Sequence, residues 1–271
     1  MQTASINYKS SQINYSYGGS GEKLLLCLHG YGESEKSFRF LETYLPAGYR
    51  ILAIDLPFHG ETQWHEGLHF TTDDLLAIID SICRQHTGYT GRLTIAGFSM
   101  GGRVALSLLE KIPAQTDKVL LMASDGLKVN IWYRLATRTI IGNRFFRYTM
   151  HRPQWFFLLL KIGDAIGLIN QSVYKFTRYY IHDKQVREDL YKRWTCMRYI
   201  RPHLPGIKRS VVQYAIPVRL LYGQYDRIIR YERGEKFRSG IESFCTLRII
   251  PTGHQVLQEK NVQVILELLQ F

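Results

Sequence analysis

Apolar and polar positions divide the chain into three stretches. In the first, to about residue 125, short apolar runs alternate with amphipathic ones. Residues 4–17 carry two strand patterns, Ile6-Asn7-Tyr8 and Ile13-Asn14-Tyr15, and Gly18, Gly19 and Gly21 close them as a turn. The run LLLCLHG at 24–30 is almost continuously apolar, as a strand covered on both faces must be, and RILAIDLP at 50–57 reads the same way until Pro57 stops it. Amphipathic spacing predicts helices over 36–45 and 71–85. In the second, Thr72 is placed to cap, with Asp73 and Asp74 in the first turn, where the helix dipole favours negative charge. RLTIAGFS at 92–99 predicts a strand that runs into a helix, and KVLLMAS at 118–124 predicts the next strand. Strands alternating with helices argue for an α/β architecture, a mostly parallel sheet covered by helices on both faces.

The alternation stops at about residue 126 and returns at about 215. Between these points the chain is aromatic and shows helical periodicity in pieces, notably 155–181 and 184–200. Its rings include Trp132, Tyr133, Phe145, Phe146, Trp155, Phe156, Phe157, Phe176, Tyr179, Tyr180, Tyr191 and Trp194. An unstructured loop of this length inside a compact protein would be exceptional. We read 126–214 as a helical cap inserted into a core formed by 1–125 and 215–271. In the final stretch, VRLLYG at 218–223 and CTLRIIP at 245–251 predict strands. Helices are expected over 230–239 and 261–271.

Charge changes this picture mainly at the cap. The net charge of +12 is regional: from Leu127 to Arg209 there are 17 Lys or Arg against 4 Asp or Glu, and elsewhere 18 against 19. A solvated face would produce such an excess. So would a surface that meets something anionic: a substrate carboxylate, a phosphate-bearing or acidic carrier, or a membrane surface touched peripherally. Nucleic acid would also match the charge, but no zinc finger, P-loop or single-strand platform motif accompanies it. The four cysteines, at 27, 83, 196 and 245, are scattered without metal-ligand spacing and point to a reducing compartment, with Cys27 and Cys245 as core residues. The N-terminal stretch has no basic segment followed by an apolar run, and the most apolar stretch, 155–160, is too short to span a bilayer. A cytoplasmic protein without metal or cofactor is expected, as monomer or dimer.

The candidate chemistry sits at the C-terminal ends of the predicted strands. Gly97-Phe98-Ser99-Met100-Gly101 has the pattern Gly-x-Ser-x-Gly between an apolar strand and a helix. Such a turn is sharp and strained and lifts the serine oxygen above the sheet. A serine hydroxyl needs a base. His254, after the last strand in Pro251-Thr252-Gly253-His254, is the candidate. A carboxylate must orient that base. Asp226, in Gly223-Gln224-Tyr225-Asp226, is the first choice, and Asp125, after the strand at 118–124, is its rival. Negative charge developing on a carbonyl oxygen would be met by the backbone N–H of Met100 and by that of Tyr31, in His29-Gly30-Tyr31-Gly32. His29 either orders that loop or is a satisfied buried group.

Together these residues resemble the alpha/beta-hydrolase family over 1–125 and 215–271. The signatures are His29-Gly30-Tyr31-Gly32, Asp55-Leu56-Pro57-Phe58-His59-Gly60, Gly97 to Gly102, Gly223-Gln224-Tyr225-Asp226 and Gly253-His254. The second departs from the family's usual Asp-x-x-Gly-His-Gly, with Phe58 in place of the glycine. The resemblance implies a serine hydrolase that forms an acyl-enzyme on an ester or thioester, with a helical lid between strands six and seven. Members whose nucleophile is aspartate, haloalkane dehalogenases and epoxide hydrolases, are disfavoured by Ser99. Carbon–carbon hydrolases and a menaquinone-pathway lyase, which use a similar serine and histidine, are the alternative. A non-enzymatic receptor would be signalled by loss of a triad residue, and none is missing.

Overall fold

A computed structural model describes residues 1–87, 89, 91–128, 131–165 and 182–269. The chain forms two compact units. One comprises Met1–Glu66, Phe70–Lys128 and Tyr199–Phe271, and the other Gly67–His69 and Val129–Arg198.

The first unit is built on an eight-stranded sheet of order β1-β2-β4-β3-β5-β6-β7-β8. Its strands are β1 (Gln2–Tyr8), β2 (Ser11–Gly19), β3 (Lys23–Leu28), β4 (Tyr49–Ile54), β5 (Leu93–Phe98), β6 (Thr116–Met122), β7 (Val218–Gly223) and β8 (Cys245–Ile250). β1 and β2 form an antiparallel hairpin, and β2 pairs antiparallel with β4; all later pairs are parallel. Leu24–Leu28 in β3 and Ile95, Ala96 and Phe98 in β5 are buried, which explains why these strands read as continuous apolar runs. Parallel strands all end at the same edge, so the loops after β3, β5, β6, β7 and β8 gather there.

Several boundaries differ from expectation. Gly18 and Gly19 belong to β2, not to a turn. The helix expected over 36–45 is a 3-10 turn, Glu35–Phe38, followed by the single-turn α1 (Leu41–Tyr44). In α2 (Thr72–Ile82) the cap is Thr71, not Thr72. The Thr71 hydroxyl accepts the Asp74 N–H, and the Asp74 carboxylate accepts from the Thr71 N–H, closing a capping box. The helix expected over 230–239 is the shorter α9 (Glu232–Arg238), and the closing helix is α10 (Val262–Leu269). All four cysteines are buried, and none forms a disulfide among the described residues.

α3 (Met100–Lys111) follows β5 directly. α8 (Leu204–Gln213) also belongs to the first unit and ends in a Schellman motif, with Ile216 N–H donating to the Val211 carbonyl and Ala215 N–H to that of Val212. The left-handed residue of that motif is Ala215, at φ 50°. Glycine fits there without a Cβ clash. Ala215→Gly is therefore expected to raise stability by about 1 kcal/mol, read as an increase in the denaturant midpoint at constant slope.

Lys118 is buried in β6, and its Nζ donates to the Leu269 carbonyl of α10. Burial, reinforced by the charge of Arg219, pushes its pKa down to about 8. Between pH 8 and 10.5, the ordinary lysine value, the unfolded chain then holds more protons at this site than the folded one, so this residue's contribution makes stability rise with pH. Burial shifts Cys245 and Tyr15 up to about 12, which acts in the opposite sense at alkaline pH. The comparison must therefore be with Lys118→Met. The wild-type melting temperature is expected to gain on that of the variant between pH 7.5 and 9.5.

In the second unit, α4 (Ile131–Arg138), α5 (Ile140–His151), α6 (Gln154–Ala165) and α7 (Lys184–Cys196) carry the described structure. Tyr133 and Trp194 pack edge to face, and Phe146 lies against both Tyr191 and Trp194. Of the helix expected over 155–181, the part to 165 is described; Phe176, Tyr179 and Tyr180 lie outside the described residues. No helix among the described residues is long and apolar enough to cross a membrane.

Candidate active site

Ser99 stands between β5 and α3 with φ 50° and ψ −114°, a strained conformation for a residue with a side chain. Two backbone bonds hold it there: its N–H donates to the Met122 carbonyl and its carbonyl accepts from Asp125 N–H, both at 2.9 Å. The glycine at 101 permits the turn. A Cβ there would lie 1.9 Å from the Leu28 carbonyl oxygen, so the first turn of α3 presses directly on the end of β3.

The structure brings Ser99, His254 and Asp226 together. His254 Nε2 lies 3.0 Å from Ser99 Oγ, and His254 Nδ1 lies 2.7 Å from Asp226 Oδ2. The loop after β8 reaches back because Gly223 lets it: a Cβ at that position would fall 2.0 Å from the Gly253 carbonyl oxygen. The other Asp226 oxygen, Oδ1, accepts the N–H groups of Ile228 (2.7 Å) and Ile229 (2.9 Å). The carboxylate side chain is fully buried. Burial pushes its pKa up, but the bond from His254 and the two backbone donors outweigh it, and the net shift is downward. These contacts thus stabilise the fold above the ordinary carboxylate range, and the stabilisation is lost only as pH falls below it.

Asp125 occupies a different position. Its carboxylate faces Arg103 Nε of α3 at 3.6 Å, while its N–H is engaged by the Ser99 carbonyl. Asp226, not Asp125, meets the imidazole.

Met100 is the first residue of α3, where backbone N–H groups have no acceptor within the helix. Tyr31 lies in the loop after β3. That loop is ordered by His29, which is buried. Leu56 N–H donates to His29 Nε2 at 3.0 Å, so the ring proton sits on Nδ1, which donates to the Gly30 carbonyl at 2.8 Å. One imidazole thereby ties the loop after β3 to the loop after β4.

Asp55 organises the second of these loops. Its buried carboxylate accepts from Asn14 Nδ2 and from the N–H groups of Glu35 and Glu61. Phe58, at the position where the family pattern has glycine, takes the left-handed φ of 62°. The loop has kept the backbone conformation that glycine favours.

One contact at the rim carried no signal in the sequence. Glu33 accepts from Gln255 Nε2 at 3.2 Å and from Gly30 N–H at 3.3 Å. It links the Tyr31 loop to the residue beside His254. Neither residue falls in a recognisable spacing, and only the folded loops bring them together.

Comparison with known proteins agrees with this architecture. Residues 23–260 match the model of a family described as alpha/beta hydrolase fold. The chain is 32% identical over 266 residues to a Bacillus subtilis protein named putative 2-succinyl-6-hydroxy-2,4-cyclohexadiene-1-carboxylate synthase, over 92% of this chain and 84% of that one. It is 26% identical over 260 residues to the uncharacterized hydrolase YugF of the same organism, over 90% and 88% of the two chains. A thermophilic esterase from Thermogutta terrifontis shares the fold, with a TM-score of 0.68 at 19% identity, over 100% of this chain and 98% of that one. The chain belongs to the alpha/beta hydrolase family.

Proposed function

We propose that this hydrolase of the alpha/beta fold cleaves a carboxylic ester or thioester of a small to medium, partly apolar acyl substrate through an acyl-enzyme on Ser99. The observation that carries this reading is the unbroken hydrogen-bond chain from Ser99 Oγ through His254 to Asp226. His254 Nε2 takes the hydroxyl proton as Oγ attacks the carbonyl carbon, and Asp226 steadies the imidazolium that results. The same proton passes to the leaving alcohol or thiol as its bond to carbon breaks. The N–H groups of Met100 and Tyr31 serve the tetrahedral oxyanion. Water, deprotonated by His254, then attacks the acyl carbon, and Ser99 leaves with the proton restored. The segment 126–214 acts as the lid that sets which carbonyl enters.

A fluorophosphonate probe tests the nucleophile, since it should label the wild type and fail on Ser99→Ala. Turnover of p-nitrophenyl esters of increasing acyl length then sizes the pocket. Labelling without turnover of any ester or thioester would overturn the ester reading and favour carbon–carbon cleavage or lyase chemistry at the same serine.

A further inference from the structure

The second unit turns an apolar surface outward. In α5, Ile141, Phe145 and Tyr148 recur at spacings of four and three and so share one face. That face is exposed, at 83%, 56% and 52% for the three side chains. The opposite side is packed and partly polar: Thr149 and Met150 are buried, and Asn143 Nδ2 donates to the Ala136 carbonyl and to Thr195 Oγ1. A helix of a globular protein ordinarily points its apolar stripe at the core. Here Phe146 and Met150 cover the packed side, and a second apolar face is left to solvent.

The patch is continuous over neighbouring elements. Thr139 forms the turn between α4 and α5, its hydroxyl accepting Gly142 N–H and donating to the Leu135 carbonyl. Ile140 beside it is 76% exposed. At the other end, the Phe145 ring meets Trp155 of α6 at 5.1 Å, and Leu158 and Leu159 on that helix are exposed. Single exposed apolar residues are ordinary, but a connected set of this size marks an interaction surface.

Charge identifies what it meets. From residue 131 to residue 165, the span of α4 to α6, the sequence has six Lys or Arg against one acid, Asp164. Arg144 and Arg147 are exposed on α5. Two acidic side chains of this unit pair within α7, where Lys184 meets Glu188 and Arg193 meets Asp189. A two-fold contact with a second copy would bring two copies of the same net-positive patch together. Large apolar side chains flanked by exposed basic ones suit an anionic bilayer, where apolar groups enter the acyl boundary and cations meet lipid phosphates.

We propose that the outward face of α4, α5 and α6 docks on an anionic lipid surface. The purified full chain should co-sediment with vesicles of phosphatidylcholine containing phosphatidylglycerol, more weakly as salt is raised, and much less with phosphatidylcholine alone. Each basic residue at such a surface contributes about fivefold in affinity, so the double variant Arg144→Gln/Arg147→Gln should bind at least about tenfold more weakly. Ile140→Ser/Ile141→Ser should lose a similar factor through lost apolar burial. Both variants should keep the wild-type circular dichroism and melting temperature. Failure to bind anionic vesicles overturns the proposal, as does equal binding by wild type and both variants. A wild-type dimer that the isoleucine variant dissociates, without vesicle binding, would assign the face to a second copy. A raised KM with unchanged vesicle binding would assign it to the substrate pocket. Sedimentation reads this surface whether or not Ser99 turns over esters.

Discussion

Ser99→Ala should lower kcat/KM on p-nitrophenyl esters by about 10⁴-fold or more, with little change in the melting temperature. The loss is large because the hydroxyl is the only group at the turn that the proposed reaction uses covalently. Stability should hardly move, because the bonds that hold position 99 are backbone bonds to Met122 and Asp125. Alanine retains a Cβ and so inherits the strain at φ 50°. Ser99→Gly should be equally inactive but more stable than Ser99→Ala, since it relieves that strain. Matched circular dichroism and thermal melts beside the kinetics check both statements. An alanine variant with wild-type turnover would remove Ser99 from the mechanism.

Asp226→Asn should cost about 10⁴-fold in kcat while leaving the fold intact. Asp226 Oδ1 receives two backbone N–H groups, from Ile228 and Ile229. In the variant, the amide oxygen must stay on those two donors, because an NH₂ group there would face them with nothing to accept. The NH₂ is then forced toward His254 Nδ1, which must become an acceptor. The imidazole proton moves to Nε2, the atom that should take the proton of Ser99. The base is present but in the wrong tautomer. Asp125→Asn should have a far smaller effect, because its carboxylate faces Arg103. Comparing kcat for the two variants distinguishes the two acids directly.

Much of this fold was legible because parallel strands covered on both faces leave continuous apolar runs, as at Leu24–Leu28 and Leu93–Phe98. The turn at Ser99 was legible because the close approach of α3 to β3 demands small residues at fixed positions. Choosing between Asp125 and Asp226 was harder, since both follow parallel strands at the same sheet edge. What separates them is loop geometry: two N–H groups converge on Asp226, and a buried arginine stands opposite Asp125. No spacing rule encodes that difference. The region 36–45 has helical periodicity but breaks into two short turns. Glu33 and Gln255 meet only because two loops distant in sequence share an edge. In the second unit, α5 leaves Ile141, Phe145 and Tyr148 exposed, a choice of covered side that apolar spacing alone does not reveal.

The backbone bonds at Ser99 bear on how such a protein could change its chemistry. Neither bond involves the side chain, and every residue except glycine would bear comparable conformational strain at that position. On the proposed mechanism, the turn would serve as a socket for interchangeable reactive groups. A cysteine or an aspartate seated there would face the same imidazole without requiring the sheet to be rebuilt. Exchange of the side chain at position 99 would leave the backbone bonds of the turn in place.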